Sequence, residues 1–363
     1  MLVGRSVAKG FRHMKTNPRW CIGYNEDMFI RLTDDEVAID EVFGNFFTSE
    51  CGPETVRAAA KLGFEPALWD RLGQTGAAAM SAPETVGGGG ADLGTLALAV
   101  GHLGRTIAPL PLIEHAVATR LLATIAPDHA LLSGLIEGTA IATLALESDN
   151  AQQLVPAGAV ADVVLWRSGG DIGIGTGAAP GAALHNMADL PLNRRGLDEL
   201  CKETLSSDGS LFDRAIAEWQ ALMATALVGV GFGALQLGVD YVQERYQFDK
   251  LIGTFQSLQH GLADASTGLE GADLLAKRAI WALDANQPNA LTLASMAMIF
   301  AAESALASAA TSLQYHGGYG FAEEYDIQLY YRRAKGWPLQ YGAVGPELQR
   351  LADQLIPSGK AAS

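Results

Sequence analysis

The chain has 363 residues, 49% hydrophobic and 18% charged, which is enough to bury a large core and to form two or three domains. Lys and Arg number 25 against 40 Asp and Glu, a formal net charge of -15, so the surface repels phosphate backbones and no nucleic acid partner is expected. Cys21, Cys51 and Cys201 lie far apart with no CxxC pair, which argues against a disulfide framework or a metal site and suits a reducing, cytoplasmic location.

The N-terminus, "MLVGRSVAKGFRHMKTNPRW", is basic and carries no acidic residue before Glu26. It is a loose match to an amphipathic transit segment but lacks the apolar core of a secretory signal, and residues 1–29 read more simply as a disordered extension. No apolar run comes near the ~20 residues needed to cross a bilayer, so no membrane span is expected.

From Thr33 the vocabulary is helical. "TDDEVAIDEVFGNFF" opens on a Thr with Glu36 three residues on, the spacing of a capping box, and continues with apolar residues at helical intervals. "TVRAAAKLGFEPALWDRLGQTG" follows in kind and stops at Gly76. In "SAPETVGGGGADLGTLALAVGHLGRTIAPLPL" a glycine-rich loop feeds another helix, ended by Pro109 and Pro111. Four successive glycines could cradle a phosphate, but no strand precedes them and no Gly-Lys-Ser/Thr follows, so a mobile loop is expected. Residues 30–138 make up an N-terminal helical domain.

Over residues 139–205 the periodicity changes. "TAIATLAL", "ADVVLWRS" and "DIGIGTG" are short, rich in β-branched residues and separated by turn formers, which predicts a small β domain. From 206 to 363 long helices return. Three segments beginning at "AIAEWQ", "TFQSLQ" and "NALTLA" repeat apolar residues at three and four, the pattern of antiparallel helices packed on several sides, and "PELQRLADQLI" completes a four-helix bundle. The fold class is mainly α with a small β domain in the middle.

"YVQERYQFDKLIGTFQSLQHGLAD" and, later, "LQYHGGYGFAEEYDIQLYYRRAK" resemble the acyl-CoA dehydrogenase family, flavoproteins that oxidise the α,β bond of acyl-CoA thioesters. "APETVGGGGADLGTLALAVGHLGRTIAPLP" is similar to the N-terminal helical domain of that family, so the likeness runs through nearly the whole chain from about residue 30. It implies FAD as cofactor. In the family the arginine matching Arg245 grips the pyrophosphate of an FAD bound mainly by the neighbouring subunit, a task that suits a guanidinium fork. Phe248 would offer an apolar face beside the cofactor, and Gln256 an amide near the adenine end. Gly317 and Gly318, lacking Cβ atoms, would bring peptide N–H groups against the anion, with Gln314 in reach of the same ligand. Taken separately, the two motifs read equally as a glycine helix stop and an arginine held in an ion pair.

Three departures from the family pattern matter. The α-proton is taken in many members by a glutamate in a Tyr-Glu-Gly turn; here "AKGWPLQYGAVGPELQR" puts Tyr341 or Gly342 at that place, and neither is a carboxylate base. Other members carry the glutamate on the first bundle helix, 26 residues ahead of the arginine, where this chain has Trp219. The adjacent Glu218 is a fallback base, rotated away by about 100° per residue, and otherwise reads as a solvated helix carboxylate. Finally, the segment that holds the flavin ring in catalytic members is abbreviated: Glu147 and Ser148 remain, the Pro-Gly-Ala-Gly run is gone, and Trp166 reads as core rather than as a flavin wall.

No catalytic residue is therefore expected in this chain, while the residues that reach another subunit's FAD are kept. The pattern resembles the non-catalytic subunit of actinobacterial heterotetrameric (α2β2) acyl-CoA dehydrogenases. That resemblance implies a paralogous catalytic partner, an acyl-CoA substrate such as a steroid side-chain thioester, and an electron-transferring flavoprotein as acceptor. The alternatives are a self-sufficient homotetramer using Glu218 or another carboxylate, and a flavin-free scaffold.

Overall fold

The computed structural model describes residues 31–147, 152–206, 208–342 and 344–356; the 1–29 extension and Ser148 lie outside them. Helix α1 (Asp34–Glu50) starts at the expected capping box. The Thr33 hydroxyl accepts the Glu36 N–H at 3.3 Å and the Glu36 carboxylate accepts the Thr33 N–H at 2.7 Å. Helices α2 (Pro53–Ala59) and α3 (Pro66–Gln74) each begin on a proline, whose missing N–H costs nothing in a first turn.

The four glycines form a folded turn and not the mobile loop that composition suggested. Gly88, Gly89, Gly90 and Ala91 give their N–H groups to the carbonyls of Pro83, Ala79, Ala82 and Met80 at 2.8–3.0 Å. Those amides are consumed within the chain and cannot cradle a phosphate. The turn delivers α4 (Leu93–Arg105), which Asp92 caps and whose first N–H groups, from Leu93 and Gly94, are also taken at 3.1 Å by Asp284 from the far end of the chain. Helix α5 (Leu112–Ile125) is buried on nearly every side, and α6 (Leu132–Ile136) closes the helical region.

Strands β1 (Ala142–Ala145), β3 (Val163–Ser168), β4 (Asp171–Thr176) and β6 (Cys201–Ser206) form one sheet in the order β1-β3-β4-β6, parallel between β1 and β3 and antiparallel elsewhere. Strands β2 (Gln152–Val155) and β5 (Asn193–Gly196) pair separately. Trp166 on β3 lies across β4, where a Cβ at Gly173 would come within 2.7 Å of its indole, and it packs with Val155, Leu197 and Leu200. It is a core residue of the β region.

The C-terminal region holds α7 (Ser210–Glu244), α8 (Gln256–Asp284), α9 (Ala290–His316), α10 (Ile327–Gly336) and α11 (Val344–Leu355). Helix α7 runs through the middle of the molecule, against α8 and α9 on one side and α4 on the other. The α4–α7 crossing is backbone to backbone: a Cβ on Gly104 would stand 2.0 Å from the Ala226 carbonyl oxygen, and one on Gly229 would stand 2.3 Å from that of Gly101. Helices α7 and α9 correct one expectation. Each carries an 18-residue window apolar enough to cross a membrane, but 72% of the α7 window and 56% of the α9 window are buried in the protein, as in core helices of a bundle.

His115 joins the helical region to the β region. It is fully buried, its Nε2 donates to the Leu135 carbonyl at 3.1 Å, its Nδ1 accepts the Ala142 N–H at 3.3 Å, and its ring meets Trp69 edge-on at 5.1 Å. Burial pushes its pKa down from 6.5 to about 4. Between those values the unfolded chain binds a proton that the folded one refuses. This share of stability is therefore complete above pH 6.5 and is lost as pH falls towards 4, by up to about 3 kcal/mol. Urea titrations at pH 7 and pH 5 should show the lower midpoint at pH 5. His115→Gln, which keeps a donor and an acceptor but does not titrate, should flatten that part of the slope.

Candidate functional site

Helix α7 ends at Glu244, and Arg245 leaves it in an extended conformation. The chain then makes a hairpin, β7 (Tyr246–Gln247) against β8 (Lys250–Leu251), whose two-residue turn is Phe248-Asp249. Both turn residues have positive φ, 53° and 59°, as a primed hairpin turn requires. Asn or Gly adopts that conformation readily, whereas a bulky aromatic does so under strain. Phe248 is also 83% exposed, and its ring meets that of Phe255 in a T-shaped pair with centroids 6.2 Å apart. Gln256, just beyond, is the exposed first residue of α8.

Helix α9 stops where Gly317 turns to φ 60°, ψ -138°, a backbone region open essentially to glycine alone. Gly317 and Gly318 are exposed, and a Cβ on either would meet nothing within 4 Å. For Gly318, then, nothing inside the chain explains the missing side chain. The following Tyr319 places its ring 5.6 Å from the Arg245 guanidinium, so the two motifs meet in space. The Tyr315 hydroxyl donates to the Ser257 carbonyl at 3.4 Å, which ties the start of α8 to the last turns of α9, where Gln314 is exposed. Arg245, Gln256, Gln314, Gly317 and Gly318 thus gather at one end of the bundle with Phe248 on the hairpin tip. Among the described residues Arg245 has no ion pair, so the plain structural alternative for it does not hold.

A second location collects the positions where the family carries its base. Trp219 is fully buried, donates its indole N–H to Glu114 at 3.3 Å and packs against Tyr341 with centroids 5.9 Å apart. Trp219 and Tyr341, the latter one of the two residues (with Gly342) that the resemblance puts at the other base position, are thus neighbours. Neither lines the nearby void of about 20 Å³, whose walls include Glu114, the acceptor of the Trp219 N–H, and Ala157, Met223, Trp337 and Gln340. One water fits such a space, whereas ligand pockets occupy about 300 Å³ or more. Glu218 is neither solvated nor free. It is buried, with one carboxylate oxygen 3.1 Å from Arg120 and the other 3.3 Å from Arg214.

Residues 33–128 match the acyl-CoA dehydrogenase N-terminal domain and residues 212–355 the acyl-CoA dehydrogenase C-terminal domain. The acyl-CoA dehydrogenase IpdE2 of Mycobacterium tuberculosis is 34% identical over 311 residues, covering 84% of this chain and 92% of that protein. The chain belongs to the acyl-CoA dehydrogenase family. IpdE2 of Mycolicibacterium smegmatis is 30% identical over 338 residues, 90% of this chain and all of that protein. In fold, the chain is similar to the Tcur3481-Tcur3483 steroid ACAD (TM-score 0.82, 24% identity, 89% of this chain and 98% of that one). It is also similar to the ChsE4-ChsE5 complex of M. tuberculosis (TM-score 0.77, 24% identity, 90% and 99%).

Acyl-CoA dehydrogenases are FAD-dependent oxidoreductases, and the fit of FAD differs between the two locations. At the end of the bundle, an unpaired guanidinium and an outward-facing glycine turn fit a pyrophosphate. The void lined by Glu114, Met223 and Gln340 is by itself too small for an isoalloxazine ring or an acyl thioester, whereas a hollow of about 440 Å³ lies against Trp166, Arg167 and Lys202 in the β region. Glu114 escaped the reading of the sequence. The signal was a carboxylate beside a histidine in a helix, α5, that is otherwise apolar until Arg120, since a charge in an all-round apolar helix is a buried charge. Burial pushes its carboxyl pKa up, against the hydrogen bonds from its own backbone and from Trp219.

Glu218→Gln should leave Arg120 and Arg214 facing each other uncompensated. The expected cost is about 2 kcal/mol in urea unfolding, below the range for a fully buried pair because both arginines are partly hydrated. Flavin content of the assembled protein should not change. A large fall in turnover with unchanged stability would instead restore Glu218 as a base.

Proposed function

We propose that this acyl-CoA dehydrogenase chain is the subunit without the base in a heteromeric, α2β2 FAD-dependent enzyme, completing the FAD site of a paralogous catalytic partner. One observation carries this: Trp219 and Tyr341 fill both base positions and close on each other, while Arg245 and the Gly317–Gly318 turn face outward unpaired. Supporting it, two proteins of like fold are named as two-chain assemblies, Tcur3481-Tcur3483 and ChsE4-ChsE5.

When bound, FAD supplies the acceptor for the hydride that leaves the β-carbon of the acyl thioester. This chain's own part is to bind and orient. The Arg245 guanidinium and the Gly317 and Gly318 amides hold the pyrophosphate with Gln314 in reach of the same ligand, Gln256 offers an amide near the adenine end, and Phe248 covers the cofactor from water. Proton removal belongs to the partner's glutamate. The substrate we favour is a bulky acyl-CoA such as a steroid side-chain thioester, because one structural neighbour is named a steroid enzyme. The acceptor we favour is an electron-transferring flavoprotein, a reading supported by the Etf-complex subunit of Acetobacterium woodii among the relatives. We place the assembly in the cytoplasm on the chain's cysteine usage, with Cys51 buried and Cys201 exposed as free thiols.

A second reading has its own observation. Glu114 takes the Trp219 N–H beside the base positions, so a self-sufficient enzyme of this sequence would use Glu114 and not Glu218. Purified alone, the chain should be colourless and inactive. Purified with its partner, the complex should carry FAD and oxidise acyl-CoA, Arg245→Ala should weaken flavin retention about tenfold or more, and Glu114→Gln should leave turnover intact. A yellow, active homo-oligomer that Glu114→Gln silences would establish the second reading. A complex with no flavin to lose would make the chain a scaffold.

A further inference from the structure

Around Arg245 the aromatic residues form a connected series. Tyr241, one turn before it on α7, stacks on His316 with ring centroids 4.2 Å apart and an interplanar angle of 25°, and its hydroxyl donates to the His316 carbonyl at 3.4 Å. His316, the last residue of α9, anchors its Nδ1 on the Ser312 carbonyl at 2.8 Å and meets the face of Tyr325 at 6.4 Å and 77°. Tyr325 stacks on Tyr319 at 5.3 Å and 29°, and Tyr319 presents its face to the Arg245 guanidinium at 5.6 Å. The series leaves the end of α7, crosses the glycine turn and returns to α7.

Burial does not account for it. Tyr319 is 47% exposed and Tyr325 37%, so both rings spend much of their area in water. Nor does a carboxylate hold the arginine, which has no ion pair among the described residues. Among the described residues the directional contact on the guanidinium is the Tyr319 ring. A long side chain free in solvent spreads over many rotamers, and an anion that binds it must first collect them. A ring face near the planar fork narrows that spread while leaving the N–H edge open for a pyrophosphate.

We propose that Tyr319 is a positioning residue: fixed by Tyr325, its ring holds the Arg245 guanidinium beside the Gly317–Gly318 turn, so that side-chain and backbone donors meet a diphosphate together. This rests on the assignment of Arg245 to FAD. Ring quadrupole and area are separable by substitution. Tyr319→Phe keeps both, and Tyr319→Leu keeps the area while removing the quadrupole.

The test uses the assembled enzyme stripped of flavin and titrated with FAD, followed by flavin fluorescence. Tyr319→Phe should bind as the parent does. Tyr319→Leu should bind about two- to fivefold more weakly, as an exposed cation–π contact implies. With Arg245→Ala already in place, Tyr319→Leu should cost nothing further, because the ring acts only through the arginine. Unchanged unfolding midpoints for the three variants would show that the effect is local. If Arg245→Ala weakens FAD and Tyr319→Leu does not, or if the two losses add in full, the positioning role is wrong while the assignment of Arg245 stands. If Arg245→Ala leaves FAD affinity untouched, the assignment itself fails.

Discussion

A buried indole N–H needs an acceptor, and the acceptor Trp219 has is Glu114. Trp219 is a large, fully buried ring, and it must be satisfied at its nitrogen. Glu114 does so from α5, and Tyr341 packs against the ring from the loop before α11. Three regions of the chain meet on one side chain. Once they do, the void that remains is water-sized, and the junction becomes a joint of the fold and not a pocket.

The opposite end of the bundle shows the reverse economy of contacts. There the chain keeps features that cost stability and return nothing within the subunit: an aromatic at positive φ on a hairpin tip, a guanidinium without a counter-ion, and a glycine whose side chain would have met open space. A closed junction and a strained, exposed edge in one molecule are what division of labour between subunits requires. Under the division of labour proposed here, the first would leave proton removal to a partner, and the second would keep a surface that gains its stabilisation against that partner's cofactor.

Much of the fold was legible because its determinants are local. The Thr33–Glu36 capping box and the 3.6-residue periodicity of α7 to α9 act over one or two turns, and the structure contains both. Trp166 read as core from its place on a strand, and in the structure its ring takes the room that Gly173 and Gly175 leave on β4. What was missed depends on distant partners. The amides of the four-glycine turn are taken by carbonyls from residues 79 to 84, which no periodicity shows. The apolar length of α7 counts for a membrane only until its neighbours are known. The two arginines that fix Glu218 come from α5 and from its own helix, and only the second lies at a spacing a sequence displays.

The same distinction explains why the candidate cofactor edge was easier to see than the missing base. Arg245 and the Gly317–Gly318 turn sit at helix ends, where an extended residue or a positive φ is announced by residue type. A base is a matter of which atom faces which, and one residue of displacement along α7 separates a side chain at the junction, Trp219, from one clamped between guanidinia, Glu218. Their opposite fates follow from the roughly 100° between successive helical residues. Trp219 turns toward α5 and the loop before α11, where a satisfied ring seals the junction, and Glu218 turns toward Arg120 and Arg214, where a charge can be paired. Neither position can take over the other's role without moving the helix that the Gly104–Ala226 contact holds at backbone distance.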